Sequence, residues 1–399
     1  MDNFNLAYEK EKDEQLPFFT WLSCDTGIGI QTYRKIQRVF GSPKEFFYAS
    51  DKSLEASGIF GAKALARLYA ARRNSNPLRV FDNMLKSGIE YVSYEAKEYP
   101  WRLRNTQGCP IGLFVKGNLP EKMETAVSVI GARACSDYGE MVARELGSAL
   151  GRYKVPLISG MARGVDSLSQ IAAVSQGGPS FAVLGGGVDI VYPKESYKLY
   201  EYLCKEGGVI SEYPPGTAPQ KVFFAERNRI ISGMSDVVCV VEAREKSGTM
   251  ITVDCALEQG REVFAVPGRI TDCTSKGCNE LIKQGAGILT DIEDFVKNYI
   301  STYNSSFSMT INIEETVLDP EKEAACIPKE AKSILEVINE NSFLPDEIQG
   351  KTTLSSYEVM TECMKLAMDG YLTNCGGGRF KISQKGMEFK NKFFINDLR

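Results

Sequence analysis

The sequence contains no histidine. This excludes Ser-His and Cys-His nucleophile pairs and any histidine metal ligand, so acid–base chemistry would fall to carboxylates, lysine, cysteine or tyrosine. Two explanations of the absence stay open: a chain that never needed the residue, and a chain that mainly binds. The eleven cysteines include no C-x-x-C. Cys273 and Cys278 are the closest pair and read as incidental thiols, because a zinc site needs more ligands at hairpin spacing. An odd cysteine count, with no signal pattern in "MDNFNLAYEK", fits a reducing cytoplasm. No run approaches 18 apolar residues, so no membrane span is expected. A net charge of −4 excludes a chain that is basic overall, though not a local basic patch. No Walker lysine motif and no complete G-x-G-x-x-G occur, so neither nucleotide hydrolysis nor dinucleotide binding is signalled. No cofactor and no metal are therefore expected.

With 43% hydrophobic and 25% charged residues over 399 positions, the chain can bury a large core and should form two or three domains. Residues 1–75 read as a helical module of the helix-hairpin-helix or SAM-like kind. "GIGIQTYRKIQRVFG" and "GIFGAKALARLYAARR" repeat one pattern, a glycine-flanked apolar turn followed by a basic helix. Nine Lys/Arg against three acids between 28 and 73 make this segment locally positive. Either its glycine turns point N–H groups at nucleic-acid phosphate, or a solvated basic face docks on its neighbour. Residues 76–126 read as a connection with one short strand and turns near Pro100 and Pro110.

The block 127–297 alternates strand-like and helix-like segments. "VSVIG", "VPLISG", "SFAVLGG", "GVISEY", "VVCVVEA" and "EVFAVPG" are short, apolar and β-branched, with helical stretches such as 138–150 and 249–259 between them. Strands buried on both faces imply an α/β, doubly wound, mainly parallel, Rossmann-like sheet, and we place this domain at 76–300. Residues 301–328 read as an acidic linker. Residues 329–399 read as a winged-helix-like module, two amphipathic helices followed by a hairpin around "GGG". Its second helix carries Glu358, Glu362 and Asp369 against Lys365, a charge pattern that favours protein contact over DNA.

In a parallel sheet, ligands gather beyond the carboxyl ends of the strands. Here those ends read "GARACSDYG", "SGMARGVD", "LGGGVDIVYPK", "SEYPPGT" and "EAREKSGTMIT", with "FFAERNRIISG" between the last two. Nearly every one is a glycine loop beside a hydroxyl or a cation. Ser136, Ser159, Ser247 and Thr249 offer hydroxyls, Gly131 and Gly160 close backbone approach, and Arg133, Arg163, Arg227 and Lys246 charge. A single such loop is most simply a tight turn; six on one edge suit a chain of phosphates. Phe223 and Phe224 offer faces on which unpaired bases could stack, with core packing as the alternative for at least one of them.

These stretches, with "VYPK", "ERNRIISGMS", "GREVFAVPG" and "NELIKQGA", resemble the DprA/Smf family of DNA-processing proteins across residues 94–290. The resemblance implies sequence-independent binding of single-stranded DNA and loading of the RecA recombinase during natural transformation, without catalysis. It implies that Arg133 is a principal phosphate ligand, Lys194 a second basic contact, and Gly131 and Ser159 backbone or hydroxyl donors. It marks Arg227, Asn228 and Arg229 as a signature that either binds DNA or holds its loop. It also implies a homodimer, contact with RecA, and single-strand binding protein as a further partner. One departure stands out: after "RGVD" the family places alanine-histidine, where this chain reads "SLSQIAA". The alternative from another class is an enzyme related to nucleoside-monophosphate phosphoribohydrolases, with Glu242 and Asp166 as its carboxylates, although the fuller P-G-G-x-G-T-x-x-E pattern is missing.

Overall fold

A computed structural model describes residues 14–120, 125–300, 328–339, 341–368, 371–375, 379–383, 386–387 and 389–390. The chain divides into two compact units, residues 1–305 and 306–399. The expected linker lies outside the described residues except for Pro328.

The first unit is built on a nine-stranded sheet. Its strands are β1 (Glu90–Ser93), β2 (Gly112–Gly117), β3 (Val127–Ile130), β4 (Leu157–Ser159), β5 (Ser180–Val183), β6 (Gly208–Ser211), β7 (Val237–Val240), β8 (Glu262–Ala265) and β9 (Gly287–Ile288). Their spatial order is β1-β2-β6-β5-β4-β3-β7-β8-β9. From β6 to β9 every pairing is parallel, while β1 and β2 continue the sheet antiparallel beyond β6. The six strands expected from β-branched runs are β3 to β8. The segment 76–126 supplies two strands rather than one, and they form an edge of the sheet.

Side-chain alternation divides the core. Val127, Val129, Val237 and Cys239 join one apolar cluster with Val142, Leu146 and Leu150 of α6 (Asp137–Arg152). Ile130, Ile158, Val238 and Val240 face the other way, with Ile230 and Ile231 of α9 (Lys221–Gly233) and Val253 and Ala256 of α10 (Gly248–Glu258). That two-sided burial is the cause of the uninterrupted apolar strands. On the first face α6 lies tightly on α7 (Val165–Ser175). A side chain at Gly147 would come within 2.1 Å of the Ser169 carbonyl oxygen.

The N-terminal helices α1 (Ile30–Phe40), α2 (Pro43–Tyr48), α3 (Asp51–Ala56), α4 (Ala62–Asn74) and α5 (Pro77–Lys86) precede the sheet. The glycine repeat has a structural counterpart. Gly27 and Gly58 take φ of 64° and 63°, and Gly29 and Gly61 are the N-caps of α1 and α4. These helices share an apolar cluster with the sheet: Trp21, Tyr33, Ile36, Phe46 and Leu68 belong to it together with Tyr91, Tyr99, Leu103 and Phe114. Tyr33 and Gln37 donate to Glu95, and Ser23 bonds the Tyr91 hydroxyl at 2.6 Å. No division falls at residue 75.

In the second unit, α12 (Lys329–Val337), α13 (Pro345–Gln349) and α14 (Ser356–Met368) precede the hairpin β10 (Leu372–Asn374) and β11 (Phe380–Ile382). The connecting helices of the first unit, α8 (Tyr197–Glu206) and α11 (Lys276–Lys283), complete the numbering. Ala331, Ile334, Leu335 and Ile338 pack with Val359, Cys363 and Leu366 and with the hairpin's Leu372, Phe380 and Ile382.

One buried cation ties the first unit together at the carboxyl ends of its strands. Arg227 of α9 is 3% exposed. Its Nη1 donates to the carbonyl of Gly160 at 2.9 Å and to that of Val183. The space it fills is the space a side chain on Gly160 would need, only 2.0 Å away. Arg227→Met would leave two carbonyls without a donor and Asp166 without its nearby cation. Such a loss costs about 3–5 kcal/mol, and we expect urea denaturation to show a drop of that order. An Arg227 that served as a surface phosphate ligand would instead be nearly neutral to stability.

Candidate functional site

The strand order reverses at β3. From β3 the chain steps outward through β4, β5 and β6, then returns through α9 to β7 on the other side of β3. Loops leaving β3 and β7 therefore diverge, and a crevice opens between them. A cleft of about 570 Å³ lies there. The β3 loop contributes Gly131 to Ala134, the β7 loop and the start of α10 contribute Ala243, Arg244 and Ser247 to Thr249, and α9 contributes Lys221, Phe224, Arg227 and Asn228. On α9 the positions 221, 224, 228 and 231 fall at helical spacing, so one face of this helix forms a wall.

The cations at the rim fall into two groups. Arg133 is exposed, and its guanidinium lies 5.3 Å from the centre of the Phe224 ring. Lys194, Lys221 and Lys246 are exposed too. Among the described residues none of these four has an acidic partner. The other three expected cations are committed. Arg163 pairs with Glu195 at 2.6 Å, and Arg229 turns away from the cleft to Glu212 at 2.5 Å. Arg227 is the buried clamp. Its place as a phosphate ligand is corrected here: its donors meet carbonyls inside the fold. Burial lowers its pKa to about 10, opposed by the charge of Asp166 and reinforced by that of Arg133.

The hydroxyls divide likewise. Ser159 is fully buried and donates to the Val129 carbonyl at 2.7 Å, so it cannot reach a phosphate at the rim. Ser136 caps α6, but its hydroxyl donates to Glu242 at 2.6 Å and its N–H to the same carboxylate at 2.9 Å. Thr274 adds a third donor. The amino end of α6, which the sequence suggested as a phosphate cradle, is thus filled by the chain's own buried carboxylate. Thr249 donates to the Gly131 carbonyl at 3.2 Å. Gly131 itself meets Val165, where a side chain would come within 2.7 Å, and Gly160 meets Arg227; both glycines serve packing.

The amino end of α10 is different. Its N-cap Ser247 makes no capping bond, and among the described residues the Ser247 hydroxyl has no partner although almost no water reaches it. Asn228 holds the turn from the other wall, its Nδ2 donating to the Gly248 carbonyl at 3.3 Å. Ser247, Gly248 and Thr249 of this helix start line the cleft that Arg133 and Lys221 border, and the first N–H groups of a helix have no intrahelical partner, an arrangement suited to an anion. Lys221 is a functional candidate that sequence reading passed over, as is Arg244. Lys221 lies on the α9 wall. Its signal was its spacing from Phe224 and Asn228 on one helix. Of the two phenylalanines, Phe223 stacks on Tyr213 at 4.2 Å and is spent on packing, while Phe224 lines the cleft.

Asp166 sits beneath this wall. It accepts from the Gly160 N–H at 3.2 Å, and burial raises its pKa, with Arg227 as the main opposing influence. A carboxyl whose folded pKa is raised contributes stability below its unfolded value, lost as pH rises through the folded one. We therefore expect the melting-temperature difference between Asp166→Asn and the parent to move in favour of the variant as pH rises upward from about 4. A flat difference would mean that Asp166 titrates normally.

Comparison with known proteins shows the family. The family described as DNA recombination-mediator protein A matches residues 90–300. The DNA processing protein DprA of Streptococcus pneumoniae is 41% identical over 201 residues, 50% of this chain and 71% of its own. Protein Smf of Escherichia coli is 34% identical over 292 residues, 73% of this chain and 77% of its own. The X-ray structure of the S. pneumoniae DNA processing protein A superposes with a TM-score of 0.60 at 33% identity, covering 69% of this chain and 94% of that one. The match spans the whole sheet and both walls of the cleft, and the chain belongs to the DNA recombination-mediator protein A family.

Proposed function

We propose that the cleft and its rim bind single-stranded DNA without regard to sequence, in DNA processing for transformation and recombination. The observation that carries this is the α9 wall. Lys221, Phe224 and Asn228 line up beneath Arg133 and opposite the open end of α10, so cation, ring face and helix N–H groups meet in one crevice. Fixed positive and N–H groups hold phosphates, and a half-buried ring accepts any base, since every base has a π-face. Lys194 and Lys246 extend the positive rim on either side.

The same geometry weighs against the phosphoribohydrolase alternative. That chemistry needs a free carboxylate near a sugar. Glu242 is held by three donors, and Asp166, although it lines the cleft, is buried, accepts from the Gly160 N–H and is engaged by the charge of Arg227. We read the protein as a mediator rather than an enzyme, one that passes its strand to a RecA-type recombinase, with single-strand binding protein as a further contact. The second unit we read as a winged helix that meets protein. Its α14 pairs Lys365 with Glu362 and keeps Glu358 at its start, leaving little charge for phosphate.

We also propose a homodimer through the open edge at β9. This strand has two residues, of which Ile288 is 54% exposed, and Leu257, 58% exposed, borders a neighbouring hollow of about 410 Å³ that Gly287 also lines. An uncovered apolar edge of this kind is a ready template for association. Ile288→Glu should shift the sedimentation coefficient to that of a monomer; an unchanged value would place the interface elsewhere.

For the interface itself, fluorescence anisotropy with a mixed-sequence single strand should show log affinity falling steeply with log salt, by about 0.7 per phosphate neutralised. Arg133→Ala combined with Lys221→Ala should weaken binding on the order of tenfold or more and flatten that slope by about 1.4. Arg163→Ala and Arg229→Ala should change the slope little. If the double variant binds like the parent, the cleft is not the seat.

A further inference from the structure

One aromatic ring beside the cleft is not used by the reading above. Tyr192 follows β5 on the loop that leads to Lys194. It is 48% exposed, and its ring lies 5.3 Å from that of Phe224 at an interplanar angle of 34°. Phe224 in turn carries the Arg133 guanidinium. The three groups form a continuous line from the β3 loop to the β5 loop.

Packing fixes the line in place. Phe224 presses against the backbone at Gly185, where a side chain would come within 2.8 Å of its ring. Tyr192 closes the shallow recess between Gly160, Gly185, Pro219 and Phe224. Pro193, which follows it, is buried, so the loop is anchored immediately beyond the ring. Lys194, one residue further, is exposed with no acidic partner among the described residues. The Tyr192 ring is half-exposed at this edge. Here it stands between two unpaired cations, spaced along the edge on which the strand would lie.

We propose that Tyr192 is a base-stacking residue, extending the Arg133–Phe224 seat by a further nucleotide toward Lys194. This rests on the reading of the cleft as a single-strand interface. The ligand class is an unpaired nucleobase of any identity, because stacking uses the π-face alone. A duplex keeps its bases paired and stacked on one another, so the same ring favours single over double strands.

The test uses the full chain and three fluorescein-labelled probes: oligo-dT, an abasic oligonucleotide of equal length, and a duplex. Tyr192→Ala should weaken oligo-dT binding roughly five- to a hundredfold. Binding of the abasic strand and of the duplex should hold, as should the salt slope. Tyr192→Phe should restore parental affinity, and Tyr192→Leu, which keeps an apolar contact with Phe224 but no planar face, should not. Equal loss on oligo-dT and the abasic strand, no loss on either, or full recovery with leucine overturns the proposal. Should the parent bind neither single strand, the interface reading itself fails, and this outcome is distinct from the others.

Discussion

The buried guanidinium of Arg227 is the contact on which the rim depends. It reaches from α9 across the end of β4 to the end of β5, satisfying carbonyls on both. Carbonyl oxygens at strand ends would otherwise need water, and water at that depth would part the helix from the sheet. With the clamp in place, α9 holds a fixed rotation. That rotation turns Lys221, Phe224 and Asn228 into the cleft and Arg229 out of it. A cationic centre so deep in the fold is a burden that Asp166 only partly relieves, since each charge has lost its hydration. Its benefit is geometric: a planar fork fixes direction in a way that an apolar side chain cannot.

Charge at the rim is therefore selective rather than general. Glu195 and Glu212 each pair with an arginine, and Glu242 occupies the donors of Ser136, all groups that a tally of motifs would assign to the ligand. The carboxylate of Glu242 at the amino end of α6 is the clearest case, an internal anion seated where helix geometry invites one. Among the described residues, Arg133, Lys194, Lys221, Arg244, Lys246 and the open end of α10 stay uncommitted. Weak attraction from several fixed groups, with no single deep pocket for one phosphate, suits a polymer whose charges are spaced along a line.

Much of the fold was legible because burial on both faces leaves a strong trace. "VVCVV" and "VSVI" can hardly be other than central strands. The strands β1, β2 and β9 left weaker traces. β9 has only two residues, and β1 and β2 lie in a segment broken by proline turns, antiparallel to their neighbours and outside the βα rhythm. The site was legible as a location but not as an inventory. Loop position told which residues lie at the rim. It could not tell that Ser159 points inward, that Arg229 meets Glu212, or that Thr249 serves Gly131, because those outcomes depend on partners distant in the chain. Lys221 shows the reverse: it lies outside the glycine loops, and its signal is helical periodicity with Phe224 and Asn228.

The helices before the sheet carry a last implication. Trp21, Tyr33, Phe46 and Leu68 belong to the same apolar mass as Tyr91, Tyr99 and Phe114. A fragment trimmed to start at β1 would bare aromatic flanks to solvent and would clump sooner than it would serve as a minimal binding domain. The helices from Ile30 to Lys86 are a buttress to the sheet, sharing its apolar core.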